Sequence, residues 1–112
     1  MSNTIPAAEA LSLEGLLTPS AGGVASRIIA KTAAGNLTLF AFDAGQGLTE
    51  HTSPFEAFVL VLDGEVTLTV GGTPVRALPG TMTRLPAAVP HAVDAQVASR
   101  LLLVMLRDPT AP

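Results

Sequence analysis

The feature that most constrains the fold of this chain is a series of turn signals between short β-rich segments. Pairs that contain glycine stand at positions 22–23, 35–36, 63–64, 71–72 and 79–80. Many of the residues between them are valine, isoleucine, leucine or threonine, and short β-type segments at this spacing are typical of a sandwich or barrel. We therefore predict an all-β fold with roughly eight or nine short strands.

The alternation of apolar and polar residues places these strands. It predicts strands over 24–31, 36–42, 55–62, 65–70, 73–78, 82–85, 91–95 and 99–107. The segment Phe55–Leu62 is apolar on both faces, which indicates a strand that is covered on two sides. Asp63-Gly64 is a strong hairpin signal, so we expect this strand to pair with the strand that follows it.

The two ends of the chain carry weaker patterns. Ser12 is expected to cap a short helix over Leu13–Leu17, which Pro19 ends. Residues 1–10 are expected to form a loose tail and residues 108–112 a frayed end. The length is that of one ordinary domain, so we predict a single domain over residues 1–112 with its core in about 24–107.

Composition argues against several kinds of function. The 112 residues contain no cysteine, which excludes disulfides and thiolate metal sites. The net charge is −3 and the 6 lysines and arginines are scattered, so we expect no binding to nucleic acid. The longest apolar runs are too short to cross a bilayer and the N-terminal residues do not resemble a signal peptide. We therefore expect a cytoplasmic protein with no membrane partner.

The small number of charges also bears on assembly. Charged residues make up 13% of the chain, against about a quarter in a typical domain. A domain with so few charges is expected to hide part of its surface against another copy of itself. The strand over Phe55–Leu62 needs such a cover on its outer side. We predict a C2 homodimer.

Two stretches of the sequence carry the residues best suited to chemistry. The first, Gly47–Glu65, contains His51 and reads GLTEHTSPFEAFVLVLDGE, and the second, Gly80–Val93, contains His91 and reads GTMTRLPAAVPHAV. They resemble the two motifs of the cupin superfamily, and the chain is similar to small single-domain RmlC-like cupins of the cupin 2 type. The resemblance implies a double-stranded β-helix, a jelly-roll-like barrel in which histidines from different strands converge on a metal.

The same resemblance shows where this chain departs from the family pattern. Counted back from Gly64, the family's first histidine falls on His51 and its second falls on Ser53. The family's glutamate falls on Ala57 and not on Glu56, whose side chain should point to the opposite face of the strand. The family's histidine of the second motif is present.

Two of the four ligands that the resemblance implies therefore remain, His51 and His91. Catalytic zinc sites use about three protein ligands. A third ligand would have to come from Gln46, Glu50 or Glu56, none of which stands at a matching position. We expect no cofactor, and the alternative is a divalent metal held by the two histidines with Gln46 or Glu56.

Three functions are consistent with these residues, and the first is favoured. It is the binding of a small molecule in the barrel, with His51, Ser53 and His91 at the mouth as the ligand-binding residues. The second is a metal-dependent enzyme of the dioxygenase or isomerase kind. The third is a metal-free enzyme with a histidine as general base, for which the chain has no tyrosine to act as the acid. Catalytic residues are not assigned, and whether the protein is an enzyme stays open.

Each of these residues also has a structural alternative. His51 could be a histidine at the barrel mouth that is hydrogen-bonded to Ser53 or to a carbonyl, and His91 could belong to a turn, with its ring satisfied locally. Arg84 lies in a short apolar strand, where an inward side chain would suit an anionic ligand. An outward side chain would make Arg84 an ordinary surface residue, and this alternative is favoured.

Overall fold

A computed structural model of the chain describes residues 4–107. Nine strands and one short 3-10 turn are present in that part of the chain. The turn spans Leu13–Leu16 (η1), and the strands are β1 Val24–Thr32, β2 Gly35–Phe42, β3 Gly47–His51, β4 Glu56–Asp63, β5 Val66–Val70, β6 Thr73–Ala77, β7 Met82–Leu85, β8 His91–Ala95 and β9 Ser99–Leu106. The predicted all-β fold is confirmed.

The strands form two antiparallel sheets that enclose one core. The five-stranded sheet has the order β1-β2-β9-β4-β7, and the four-stranded sheet has the order β3-β8-β5-β6. Because side chains alternate along a strand, one face of each sheet supplies the core. In the five-stranded sheet Phe40, Leu101 and Val61 lie side by side in one cross-strand row of this inner face. Val66, Leu68 and other buried residues of the four-stranded sheet pack against them.

The strand β3 was not predicted from the sequence. Its five residues have the burial pattern of an edge strand whose last three residues are exposed, so neither a buried run nor a clear alternation marks it. The strand pairs with β8 on one side, and the pairing is interrupted between Leu48 and His51. This missed strand carries one of the two histidines.

The prediction that β4 and β5 form a hairpin is wrong. β4 pairs with β7 and β9 in the five-stranded sheet, whereas β5 pairs with β6 and β8 in the other. The Asp63-Gly64 turn therefore carries the chain from one sheet to the other. Gly64 adopts a φ of 75°, and the Asp63 carboxylate accepts a hydrogen bond from Arg100 Nη1 at 2.7 Å, which ties the turn to β9.

The N-terminal segment is more ordered than the sequence suggested. The predicted helix is the 3-10 turn η1, and Ser12 precedes it without a side-chain cap hydrogen bond. Ile5 N donates to Ile29 O at 3.0 Å, so the described part of the expected loose tail is attached to β1. Residues 1–3 of that tail and the expected frayed end at 108–112 lie outside the described residues.

Helices give no sign of a membrane span. Within residues 4–107, no helix has the length and hydropathy needed to cross a bilayer. The cytoplasmic location is a separate matter and stays a prediction.

Candidate functional site

The two histidines meet at one end of the four-stranded sheet. His51 is the last residue of β3 and His91 is the first residue of β8, and the two are direct cross-strand partners. Their Nε2 atoms lie 3.1 Å apart, and the rings meet edge to face with centroids 4.4 Å apart. The convergence that the two motifs implied is therefore present, and we call it the histidine pair.

Each ring of the histidine pair is oriented by a backbone carbonyl. His51 Nδ1 lies 2.9 Å from Thr49 O, and His91 Nδ1 lies 3.2 Å from Val89 O. Because a carbonyl only accepts, both Nδ1 atoms carry the hydrogen, and in a neutral ring Nε2 then has a free lone pair. The contact between the two Nε2 atoms is thus a hydrogen bond only when one of them is protonated.

The two rings differ in their exposure to solvent. His91 is 6% exposed, whereas His51 is exposed. Burial lowers the pKa of His91 below its ordinary value of 6.5, and the neighbouring His51 lowers it further, while the hydrogen bond to Val89 O raises it. The His91 ring is therefore neutral at neutral pH and offers an acceptor to the exposed ring or to a ligand.

The space below the histidine pair is apolar and small. It is lined by both imidazoles and by residues from both sheets, namely Phe40, Phe42, Leu48, Val59, Leu85, Val93, Leu101 and Leu103. Its volume is about 30 Å³, which leaves room for only roughly one or two water molecules. The expected cavity inside the barrel is thus filled by side chains, and the open side of the pair is its mouth.

Comparison with protein families gives the identity of this fold. The family model described as a cupin domain, Cupin_2, matches residues 38–106, which is more than half of the 112 residues. The chain belongs to the cupin family. No curated protein matches this cupin.

Solved structures agree with this assignment. The cupin is similar to a conserved protein of unknown function from Streptococcus pyogenes, with 31% identity, coverage of 96% of each chain and a TM-score of 0.88. A cupin superfamily protein from Desulfitobacterium hafniense is 24% identical over 96% of this chain and 97% of its own, with a TM-score of 0.87. A Cupin 2 conserved barrel domain protein from Leptotrichia buccalis is 30% identical over 87% of this chain and 47% of its own, with a TM-score of 0.83.

Ser53, predicted to bind a ligand beside His51, has a local partner in the structure. It lies beyond the end of β3, and its hydroxyl oxygen accepts a hydrogen bond from Phe55 N at 3.1 Å. Its carbonyl accepts from Ala88 N at 2.8 Å and so joins this turn to the loop before β8. The structure therefore gives Ser53 a role in the turn, and its role in ligand binding stays a prediction.

Two of the three candidate third ligands, Glu56 and Gln46, lie away from the histidine pair. The Glu56 carboxylate is bound by Arg84 Nε and by Ala87 N on the outer side of β4, as the alternation of the strand predicts. Arg84 accordingly points outward, with 61% of its side chain exposed. Gln46 precedes β3, and its carbonyl oxygen accepts from Ala95 N at the opposite end of that strand.

The nitrogen atoms of the histidine pair can be compared with the set of ligands that a catalytic metal ion needs. Two Nε2 atoms 3.1 Å apart can both reach an ion at the zinc–nitrogen distance of about 2.0–2.1 Å. In the part of the chain that the structure describes, however, no group of three histidine, cysteine or carboxylate residues could hold a metal. Ala57 points into the core from the position of the family's glutamate, and it is 2% exposed. The residues present therefore fall one ligand short of a catalytic metal site.

The sequence reasoning allowed for a carbonyl partner of His51 and a local partner of His91, but it did not identify the groups that orient the rings. Thr49 O and Val89 O each stand two residues before the histidine that they bind. This common spacing is visible in the sequence, but it acquires a meaning only when both rings are known to face the same space.

Proposed function

We propose that this cupin binds a small polar molecule at the mouth of its barrel, with the histidine pair as the point of recognition. One observation carries the proposal, which is the convergence of two imidazole Nε2 atoms whose Nδ1 atoms are already bound to carbonyls. Rings that are fixed in this way present their acceptors at a defined place, so little side-chain entropy is lost when a ligand binds.

The ligand of this proposal lies over the histidine pair and not inside the barrel. The space below the pair has a volume of about 30 Å³, whereas pockets for organic ligands usually measure about 300–1,000 Å³. A molecule can approach from the side of His51, which is exposed, while His91 is almost fully covered. The recognition step is therefore a contact with the open edge of the pair.

The chemistry of the site suggests what such a ligand offers. When both rings are neutral, the two Nε2 atoms each present a lone pair and no hydrogen lies between them. A hydroxyl, an ammonium or an acidic proton of the ligand supplies the missing hydrogen-bond donor. The chain has no tryptophan and no tyrosine, so a sugar or base would find no ring of that kind on which to stack. A small, polar, non-aromatic molecule fits these conditions best.

Nuclear magnetic resonance of the imidazoles tests this proposal directly. The chain contains 2 histidines, so every imidazole ¹⁵N signal reports on the histidine pair. A panel of small polyols, amines and carboxylates would be titrated into the labelled protein, first as the wild type and then as H51F. We expect at least one probe to shift both Nε2 signals of the wild type, and none to shift the remaining His91 signal of H51F in the same way. If no probe moves either Nε2 signal, the proposal fails.

A second candidate function is a metal-dependent enzyme, and the orientation of the rings favours it. Metal-bound histidines commonly donate their other ring nitrogen to a carbonyl, as both rings do here. Elemental analysis of protein purified without chelator or nickel resin separates the two candidates. Iron, manganese, zinc or nickel present at one equivalent, and lost in both H51F and H91F, would favour the enzyme and contradict metal-free binding.

A further inference from the structure

A pocket beside the β1–β2 hairpin is lined by two cations. The hairpin joins the end of β1 to the start of β2, and Arg107 directly follows the end of β9. The pocket has a volume of about 350 Å³, and Lys31, Thr32, Asn36, Phe55 and Arg107 are among the residues that line it. It shares no lining residue with the space below the histidine pair. We call it the hairpin pocket.

The two cations of the hairpin pocket differ from the other basic residues in having no partner. Of the 6 lysines and arginines of the chain, three form ion pairs with carboxylates and a fourth donates to a carbonyl, namely Arg76, Arg84, Arg100 and Arg27. Within residues 4–107, the side chains of Lys31 and Arg107 have neither an ion pair nor a hydrogen bond. Two like charges that line one pocket repel each other, and an anion between them removes that repulsion.

The uncharged polar side chains of the pocket also present donors. Asn36 Oδ1 accepts a hydrogen bond from Thr38 Oγ1 at 2.9 Å, which leaves the amide NH₂ of Asn36 to donate. Thr32 Oγ1 accepts from Ala34 N at 3.0 Å and keeps its hydroxyl hydrogen as a donor. Among the described residues, no aspartate or glutamate lines the pocket. Its side chains therefore suit a ligand that is negatively charged and accepts hydrogen bonds.

The backbone that carries these side chains is held by close contacts between the hairpin and β9. Arg107 N donates to Ala34 O at 2.6 Å. Gly35 has a φ of 145°, and it lies so close to β9 that a Cβ atom added there would collide with Met105 O. The two segments that carry Lys31 and Arg107 are thus fixed against each other, so little backbone order has to be gained when a ligand binds.

We propose that the hairpin pocket binds the carboxylate of a small organic anion. The planar guanidinium of Arg107 matches the two oxygens of a carboxylate, and the ammonium of Lys31 supplies a second positive charge. Phe55 is half-buried and lines the same pocket, so it offers an apolar surface to the hydrocarbon part of the ligand. The volume of about 350 Å³ is near the lower end of the usual range for organic ligands, about 300–1,000 Å³, so the anion is small.

Phosphate matches the hairpin pocket less well than carboxylate does. Phosphate sites commonly use backbone N–H groups in turns or at helix N-termini. Here Ala34 N and Arg107 N are already bound, to Thr32 Oγ1 and Ala34 O respectively. The donors that we identify in the pocket belong to side chains, and the fork of an arginine is the group that suits a flat carboxylate.

NMR titration of the ¹⁵N-labelled protein, in a buffer without phosphate or carboxylate, tests the proposal. The probes are hexanoate and glutarate, with hexanamide as the uncharged control and inorganic phosphate as the competing anion. We expect hexanoate or glutarate to give saturable shifts of the backbone amide signals of Ala33, Ala34 and Gly35 and of the Arg107 Nε–H signal. We expect hexanamide to give none, because it lacks the charge that Lys31 and Arg107 recognise.

Three variants assign the binding to the two cations. K31M and R107M should each raise the dissociation constant at least about tenfold, because each removes one charged donor. The control is R27M, which removes the same charge from β1 at a residue outside the pocket. It should change the dissociation constant by less than about twofold, since salt in the buffer screens a distant exposed charge.

Three results would overturn the proposal: no saturable shift at the pocket with either carboxylate by about 50 mM, binding by K31M and R107M that equals that of R27M, or tighter binding of phosphate than of both carboxylates. The imidazole signals report on the histidine pair separately, so a failure at the hairpin pocket leaves the function proposed for the pair intact, and the reverse also holds. Circular dichroism melting confirms that each variant is folded. Should K31M or R107M not fold, the other is still compared with R27M.

Discussion

The turn at Gly64 offers the sharpest check of the fold that holds the histidine pair. A Cβ atom added at Gly64 would lie 2.2 Å from Ser99 Oγ and 2.4 Å from Ala98 O. A Cβ atom added at Gly72, in the β5–β6 hairpin, would meet nothing within 4 Å. The two glycines have φ values of 75° and 83°, so the backbone cost of alanine, about 1 kcal/mol, is similar at both.

The difference in the free energy of unfolding between G64A and G72A therefore measures the cost of the close contact between Gly64 and the start of β9. Relief of the clash must move the backbone at Ala98 and Ser99, and with it the Ser99 hydroxyl, which is buried and accepts a hydrogen bond from Glu65 N at 3.0 Å. The loss of such a buried hydrogen bond costs about 1–3 kcal/mol. We predict that G64A lowers the free energy of unfolding by about 3 kcal/mol and G72A by about 1 kcal/mol.

Equilibrium unfolding in urea, followed by circular dichroism at 25 °C, measures both values. The gap should also appear in heat denaturation as a Tm difference of about 8 °C, since about 1 kcal/mol corresponds to roughly 4 °C in a domain of this size. Equal losses in the two variants would refute the reasoning. They would mean that Gly64 is required for its φ alone, and that the turn does not press against β9.

Three further predictions follow from side-chain contacts. S53A should cost about 1 kcal/mol, because its hydroxyl accepts from Phe55 N, and in NMR spectra the imidazole ¹⁵N shifts should stay as in the wild type. The pKa of His91 lies below its ordinary 6.5 in the folded state, so the unfolded chain binds the proton more readily. The free energy of unfolding should therefore fall as the pH drops below about 6.5. Urea titrations of H91Q over that pH range should show a smaller fall. R100M should cost about 2 kcal/mol, because it removes the charged donor to Leu17 O and to the Asp63 carboxylate, and limited proteolysis should then cut the N-terminal segment around Leu17 faster than in the wild type.

Much of the fold could be predicted because its causes are local. Alternation placed β5 and β8 within a residue of their observed bounds, since the period of two follows from the backbone of each strand alone. The Asp63-Gly64 turn could not be read in this way. A hairpin turn and a turn between two sheets both require a residue with positive φ at this position. Only the pairing of β4 with the distant strand β9 decides which of the two turns forms.

In the candidate site, too, the features with local causes could be predicted and the others could not. The count from Gly64 correctly predicted that Glu56 points away from the site, because parity along a strand is a local property. The contact of Ser53 was not foreseen, since β3 ends at His51 and alternation no longer applies beyond it. A carbonyl beside His51 and a local partner for His91 were foreseen as alternatives, but Thr49 O and Val89 O could not be identified, because a hydrogen bond to the residue two positions earlier leaves no mark in composition or periodicity.

The loss of ligands and the filling of the barrel belong together. Where the family pattern has a glutamate, this chain has Ala57, which faces inward and adds no acceptor to the core. Phe40 and Phe42, whose ring centroids lie 6.0 Å apart, belong to the same interior. A polar ligand inside that space would leave its own polar groups without partners, at about 1–3 kcal/mol for each. The histidine pair meets solvent through His51, so the polar chemistry that the barrel retains lies at its mouth, which is where we propose that a ligand binds.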